Sequence, residues 1–580
     1  MRNFQQLSIL LVLVILVQSA FAQQQNMDRN HNEQVTIIGS FDPTINQAYK
    51  INVKPEQKPL TFTAPEFTFQ SLENKVVETD IAASQVKPLS IKGDKRVKTY
   101  GNYLRAGFGS QMTPLLDFYH SSGKSGSYRF DAGIHHFSSF SNIADYSPSP
   151  YSNTKAAIGF EKYFKYHALD FGIEYGLNTN RYYGFKPDDY PTISIPEDDL
   201  KQSFNLIRAN IGFKSKYKKR DKLHHAFDLS GYYYFDKYDV KETNASFTFD
   251  FHKGFDLTKV LDYQNLGLEG ELTYFGNSDS VRSSTDILIN GTPYFAAKFG
   301  VFAFKVALRF TYLMADESSF HFYPVVDLAF TAIPEALVIY AGVDGNIQKN
   351  SFLELTTVNP YFTAYGIPDI NLRWQNNKII AFGGFRGNIA KKLAYNLEVR
   401  WSKFEDMAFY VNKSEYFVQP DTMILLWVGV ENKFTVLHDN GSLMTVKGEL
   451  SLAADAYLNI WLGGTYNAYS LDNLSQPYHK PLSSIKLGAS YLFVKKLKVW
   501  TELYYYGKRY ARKLYVFPYS YYKDEELPSF FDINLGADYA VSDKFSVFLS
   551  ATNLLNNNYD RFYSYPVQGI NVMAGVSLKF

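Results

Sequence analysis

The sequence predicts an all-β fold: a transmembrane antiparallel β-barrel of about 22–24 strands. Three observations carry this reading. From residue 98 to the end, segments of about ten residues alternate in polarity with period two and are separated by turns. Tyr 46, Phe 48 and Trp 5 make up 17% of the 580 residues, yet mean hydropathy is only −0.23. One lipid face and one polar face give that combination, whereas a bundle of membrane helices does not. Beyond the N-terminus, no stretch offers the roughly 18 uncharged apolar residues that a spanning helix needs.

Residues 1–22 read as an export signal. Arg2 is the only basic residue before an apolar run at 7–17, and Ala20-Phe21-Ala22 fits the small-x-small cleavage rule. Cleavage is expected after Ala22, giving a mature chain that starts at Gln23 and goes to the cell outer membrane. A buried N-terminal helix is the competing reading of the same run. Without Arg2 the charge is 58 Lys+Arg against 57 Asp+Glu, or +1. Near-neutrality excludes a basic nucleic-acid binder. The absence of Cys excludes disulfides, thiolate zinc sites, a cysteine nucleophile and an acylated lipoprotein anchor. Residues 23–97 contain Pro43, Pro55, Pro59, Pro65 and Pro88. They read as an extended periplasmic or lumenal segment, with Phe62, Phe67 and Phe69 as anchors inside the barrel.

The barrel itself is expected over 98–580. Phe531, Ile533, Leu535, Ala537 and Tyr539 alternate with Asp532, Asn534, Gly536 and Asp538. Tyr395, Leu397, Val399 and Trp401 alternate with Asn396, Glu398 and Arg400, and Phe304, Val306, Leu308, Phe310 and Tyr312 with Lys305, Ala307, Arg309 and Thr311. A soluble sandwich or solenoid also alternates, but full charges in mid-strand on strand after strand suit a polar lumen better. Strand starts fall near 98, 112, 126, 153, 165, 202, 224, 244, 263, 286, 301, 320, 336, 377, 391, 407, 422, 443, 457, 483, 497, 530, 544 and 570. Short polar turns (218–220, 390–392, 494–496, 542–544) alternate with long aromatic loops (179–201, 344–376, 509–529, 555–569). This places the turns on the periplasmic side and the loops outside, against lipopolysaccharide. On the last strand Ile570, Val572, Ala574, Val576, Leu578 and Phe580 share one face. A terminal aromatic on such a strand resembles the signal read by the barrel-assembly machinery, so Phe580, Leu578 and Val576 are the expected assembly signal.

The end of the chain also resembles TonB-dependent receptors. Phe548-Leu549-Ser550-Ala551-Thr552-Asn553-Leu554-Leu555-Asn556-Asn557-Asn558-Tyr559 is similar to that family's "NLF(D/N)xxY" stretch, and Tyr565-Pro566-Val567-Gln568-Gly569 matches its residues before the final strand. Asn359-Pro360 followed by Pro368-Asp369-Ile370-Asn371-Leu372 resembles the loop before a mid-barrel hairpin. The resemblance implies a barrel of about 22 strands that imports scarce ligands with energy from the inner membrane. It departs from the family at the front, where 23–97 is too short for the usual plug domain. Glu33-Gln34-Val35-Thr36-Ile37-Ile38-Gly39 resembles a TonB box and reads equally as a plain strand docking in the lumen.

No catalytic, cofactor or metal site is expected. His135-His136, near Ser138 and Ser139, and His224-His225 are adjacent pairs, and neighbours on a strand point to opposite faces. Asp188, Asp189, Glu197, Asp198 and Asp199 share one loop but lack calcium-loop spacing. Tyr182, Tyr183, Tyr515, Tyr519, Tyr521 and Tyr522 are candidate external contacts for a ligand or partner, or belong to an interfacial aromatic girdle. Two functions follow. One is a receptor or channel for uptake. The other is a non-transport subunit of a larger outer-membrane assembly, with a surface lipoprotein or another outer-membrane subunit as partner.

Overall fold

The structure, a computed structural model, describes residues 100–580 apart from 124–125, 192–194, 280–281, 365–371, 390–391, 417–428, 454–456, 495 and 516–520. The expectations for 1–22, for 23–97 with Glu33–Gly39, Phe62, Phe67 and Phe69, for Pro368 to Asn371 and for Tyr519 lie outside these residues, as does the side chain of Tyr515.

Twenty-two strands form one sheet in which chain neighbours pair antiparallel. The first strand, Asn102–Gly109, pairs with the last, Asn571–Lys579, in a register running from Tyr103↔Lys579 to Gly109↔Met573. The Asn102 amide donates to the Phe580 carbonyl and the Phe580 amide to Asn102, at 2.9 and 3.1 Å. The sheet is therefore a closed barrel with no edge, the form a spanning sheet must take in hydrocarbon. Among the described residues no helix is long and apolar enough to cross a membrane.

Burial is inverted relative to a soluble protein. On Phe530–Ala540, Phe531, Leu535 and Tyr539 are exposed while Asp532, Asn534 and Asp538 are buried. On Phe302–Met314, Val306, Leu308 and Tyr312 are exposed while Lys305 and Thr311 are buried. An exposed apolar band of this extent needs lipid against it. Inside, charges pair across strands, Lys305 to Glu269 and Arg309 to Asp344 at 2.8 Å each and Lys349 to Asp286 with both side chains buried, and along one strand, Arg129 to Asp131 at 2.6 Å. Pairing makes buried charge tolerable, because the mutual attraction offsets lost hydration.

The ring of 22 strands is the lower end of the expected range. The starts expected near 391, 407, 422 and 443 are two long strands, Leu393–Tyr416 and Gly429–Ala453, not four. Their pairing shifts register between Phe404 and Met407, beside Asp406 at φ 55°. Past that bulge Ala408, Phe409, Tyr410 and Val411 are all buried, so period two is lost. This part of the hairpin is covered on both faces, which a polarity pattern reads as a break. Two further pairs, Arg509–Tyr515 with Tyr521–Leu527 and Asp560–Phe562 with Tyr565–Pro566, form small sheets of their own. Both lie in the long loops, which share one end of the barrel, whereas the short turns share the other.

Candidate functional site

The long loops fold back into the barrel mouth. The centre of this arrangement is a helix, Phe352–Val358, in the loop between the thirteenth and fourteenth strands of the ring. Ser351 caps it by accepting from the Glu354 amide at 3.1 Å. The buried Glu242 carboxylate, on the eighth strand, accepts from the Phe352 and Leu353 amides at 2.7 and 3.2 Å and from the Tyr232 hydroxyl at 2.8 Å. A carboxylate at a helix N-terminus meets both free amides and the positive end of the peptide dipoles. The Tyr234 hydroxyl lies 2.6 Å from Thr356 Oγ1, and from the far wall Tyr410 donates to the Leu355 carbonyl at 2.8 Å. The helix is thus held from the seventh and eighth strands on one side and the fifteenth on the other, eight strands round a ring of twenty-two.

A second layer joins the same walls. Asn432, on the sixteenth strand, donates to the Tyr182 carbonyl at 2.8 Å, and Tyr565 donates to the Asn432 carbonyl. Tyr361 stacks on Tyr565 with ring centroids 3.6 Å apart, and Tyr183 meets Tyr565 edge-on at 4.8 Å. Tyr183 donates to the Pro566 carbonyl at 2.8 Å, and Asn180 donates to the Pro360 carbonyl at 2.6 Å. Gly184 is required by this packing, because a Cβ there would sit 2.3 Å from the Tyr565 ring. Phe434, Phe562 and the buried His479 complete the cluster at ring separations of 5.2 to 5.6 Å. Beside it, a crevice with about 380 Å³ of empty space, partly open to solvent, is lined by residues including Asn180, Arg181, Tyr183, Tyr361 and Gln568. The buried Asn180 Oδ1, on that lining, has no partner among the described residues.

The expected contact residues therefore separate. Tyr182 and Tyr183 are not surface aromatics: they are 0% and 8% exposed, because their loop turns inward and their rings fill the lid. Tyr521 and Tyr522 are exposed on the loop hairpin, and Tyr515 is on its opposite strand. Val576 and Phe580 are exposed on the outer face with Val572, while Met573 and Ser577 are buried on the inner face. Glu242, Asn432 and His479 were missed. Nothing local marks Glu242 and Asn432 as lid contacts, since the helix amides that Glu242 accepts from lie 110 and 111 residues away and the Tyr182 carbonyl lies 250 from Asn432.

The other candidates have ordinary partners. His135 faces inward, 2.5 Å from Asp117, while His136 contacts Thr154 Oγ1 at 2.8 Å and Ser138 Oγ at 3.2 Å. The base of a Ser–His pair is normally oriented by a carboxylate, and here a hydroxyl takes that position. Glu197 pairs with Arg181 and Asp198 with Lys237, each at 3.0 Å. Lys237 holds the Asp198 carboxyl below its ordinary range. Among the described residues no group of three His, Asp or Glu is placed to hold a metal ion.

No family model matches the chain, and no curated protein matches it in sequence. Solved structures do match in fold. The pyoverdine outer membrane receptor FpvA from Pseudomonas aeruginosa PAO1, bound to pyoverdine, aligns over 84% of this chain and 79% of its own, with a TM-score of 0.60 and 13% identity. The siderophore receptor PirA from Acinetobacter baumannii aligns over 84% and 81%, at 0.61 and 10% identity. The FrpB iron transporter from Neisseria meningitidis aligns over 83% and 82%, at 0.61 and 13% identity. The barrel thus has the fold of outer-membrane receptors of the TonB-dependent kind, which the terminal motifs implied.

Proposed function

We propose that this chain is a TonB-dependent-receptor-like outer-membrane barrel that takes up a ligand through a gated mouth. The observation that carries the reading is the lid: loops from distant parts of the chain meet in the mouth and bind opposite walls through a few directional contacts. Such a contact set can be exchanged for contacts with a ligand, whereas a static wall cannot. The fold neighbours are receptors and a transporter, which supports uptake over the non-transport assembly role and over an enzyme. In this reading cleavage follows Ala22, and residues 23–97 serve as an extended lumenal or periplasmic segment. The barrel-assembly machinery reads Phe580, Leu578 and Val576. Phospholipid and lipopolysaccharide surround the outer face, and Tyr515, Tyr519, Tyr521 and Tyr522 meet the ligand, a surface lipoprotein or another subunit.

The native chain has no Cys, so a disulfide lock is clean. Phe362 and Phe434 are partners in a parallel bridge between lid and wall, within the reach of a disulfide. Single-channel recordings of the Phe362→Cys/Phe434→Cys protein without residues 23–90 should show brief openings when reduced and none when oxidised. Openings that persist in the oxidised protein contradict a gated mouth, and silence in both states favours the assembly role.

A further inference from the structure

The outer face of the fifth to seventh strands ends, on the turn side, in a patch that uptake does not use. Turns 164–166 and 216–222 lie side by side, with the Lys216 amide donating to the Tyr166 carbonyl at 2.7 Å. Their ten residues carry Lys165, Lys216, Lys218, Lys219, Arg220 and Lys222 against Asp221 alone, a formal charge of +5. All of these charged side chains are exposed. Other turns at this end carry less positive charge: 390–392 and 494–496 hold two Lys each, 255–262 holds Lys259 against Asp256 and Asp262, 334–336 holds only Glu335, and 541–544 balances Lys544 with Asp543. The neighbouring carboxylates are engaged elsewhere. Glu161 lies 3.6 Å from Arg129, Asp250 is 2.8 Å from His252, and Asp262 accepts from the Gly300 amide at 2.7 Å.

Beneath the cations is a shelf of rings. His167 stacks on Phe213 at 5.1 Å and meets His225 at 5.3 Å; its Nε2 is 3.3 Å from the Tyr217 hydroxyl. Tyr166 packs on Tyr217 at 6.0 Å, and Lys216 Nζ sits 4.2 Å from the Tyr163 ring centre. By strand parity, His167, Phe213 and His225 share the outward face with exposed Phe171, Ile173, Ile207, Ile211 and Leu229. The shelf is therefore continuous with the lipid-facing band and lies at its rim.

We infer that this patch binds the phosphate-bearing headgroup of an anionic phospholipid in the leaflet on the turn side. The cations take the phosphate oxygens, and the rings receive the glycerol and the upper acyl chain. Cations beside a bilayer surface attract anionic lipid, and amphipathic rings prefer the interface. Continuity with the apolar band favours a lipid over an acidic protein or a free anion, because only a lipid satisfies both halves of the patch.

Native mass spectrometry of the full-length barrel tests this with added phosphatidylglycerol, phosphatidylcholine and inorganic phosphate. Phosphatidylglycerol should be retained about tenfold more than phosphatidylcholine, and K216A/K218A/K219A/R220A should remove most of that preference. K496A/K544A, on other turns, should keep it. If the fourfold variant fails to assemble, the exposed pair K218Q/K219Q should still lower retention, by about threefold. Equal retention of the two lipids, full retention in both patch variants, or displacement of the lipid by equimolar phosphate would overturn the assignment. Capture of an acidic protein with no lipid preference would overturn it as well.

Discussion

Two ionisable residues in the lid work against each other. His479 is buried between Phe434 and Phe562, and neither ring nitrogen has a hydrogen-bond partner among the described residues. Burial, reinforced by the Arg509 charge, pushes it down to about 3. Once the lid opens, the imidazole returns to its free value near 6.5. The open state then binds the extra proton, so His479 weakens the lid as pH falls from about 6.5 towards 3, by about tenfold per unit. Asp560 has the opposite sign. Burial pushes its carboxyl up to about 6, above the free value near 3.9, so acid favours the closed lid as pH falls from 6 to 4. Hydrogen-exchange protection of the Thr363 and Phe434 amides, which bond across the lid to Phe434 and Tyr361, should therefore respond differently in two variants. After correction for intrinsic exchange, His479→Gln should gain protection between pH 7 and 4.5, and Asp560→Asn should lose it. Parallel profiles would show that neither group senses the lid. Glu242 is a simpler case. Glu242→Ala strands two helix amides and a tyrosine hydroxyl, which should cost about 2–3 kcal/mol of lid stability. Glu242→Gln should recover part of it, and unchanged exchange of the Phe352 and Leu353 amides in the alanine variant would rule out the cap.

At the scale of elements, what was legible in the sequence follows where period two holds. Within the lipid band each strand meets hydrocarbon on one side and a polar lumen on the other. The outward sets on 304–312, 395–401 and 531–539 could therefore be read directly. Above the band both faces are covered, and one long hairpin read as two. The loops were legible as long and aromatic but not as inward-folded, because Tyr182, Tyr361 and Tyr565 are brought together only by closure of the ring. The last strand gives a test that depends on the face alone. Val576 and Phe580 point to lipid and Lys579 to the lumen. Deleting Phe580 should lower outer-membrane abundance several-fold on a heat-modifiability gel, and Lys579→Ala should change it little. Equal losses would remove the case for an outward assembly signal. Gly184→Val should push the Tyr565 ring from its stack without affecting abundance, since the clash is confined to the lid.

For the barrel as a whole, two barriers in series are proposed across one lumen. A ring of 22 strands is wide enough to pass large solutes unless it is filled. The lid occupies the loop end, and residues 23–97 are proposed to fill or tether from the other. Removing either barrier alone leaves the second. The direct measurement is single-channel conductance in planar bilayers for four proteins: full length, the 23–90 deletion, Gly184→Val/Glu242→Ala, and the deletion combined with both substitutions. A gated receptor-like barrel predicts low conductance for the first three and a large, steady pore for the fourth. A large pore from the 23–90 deletion alone, with the lid sequence intact, would contradict a mouth closed by its own loops.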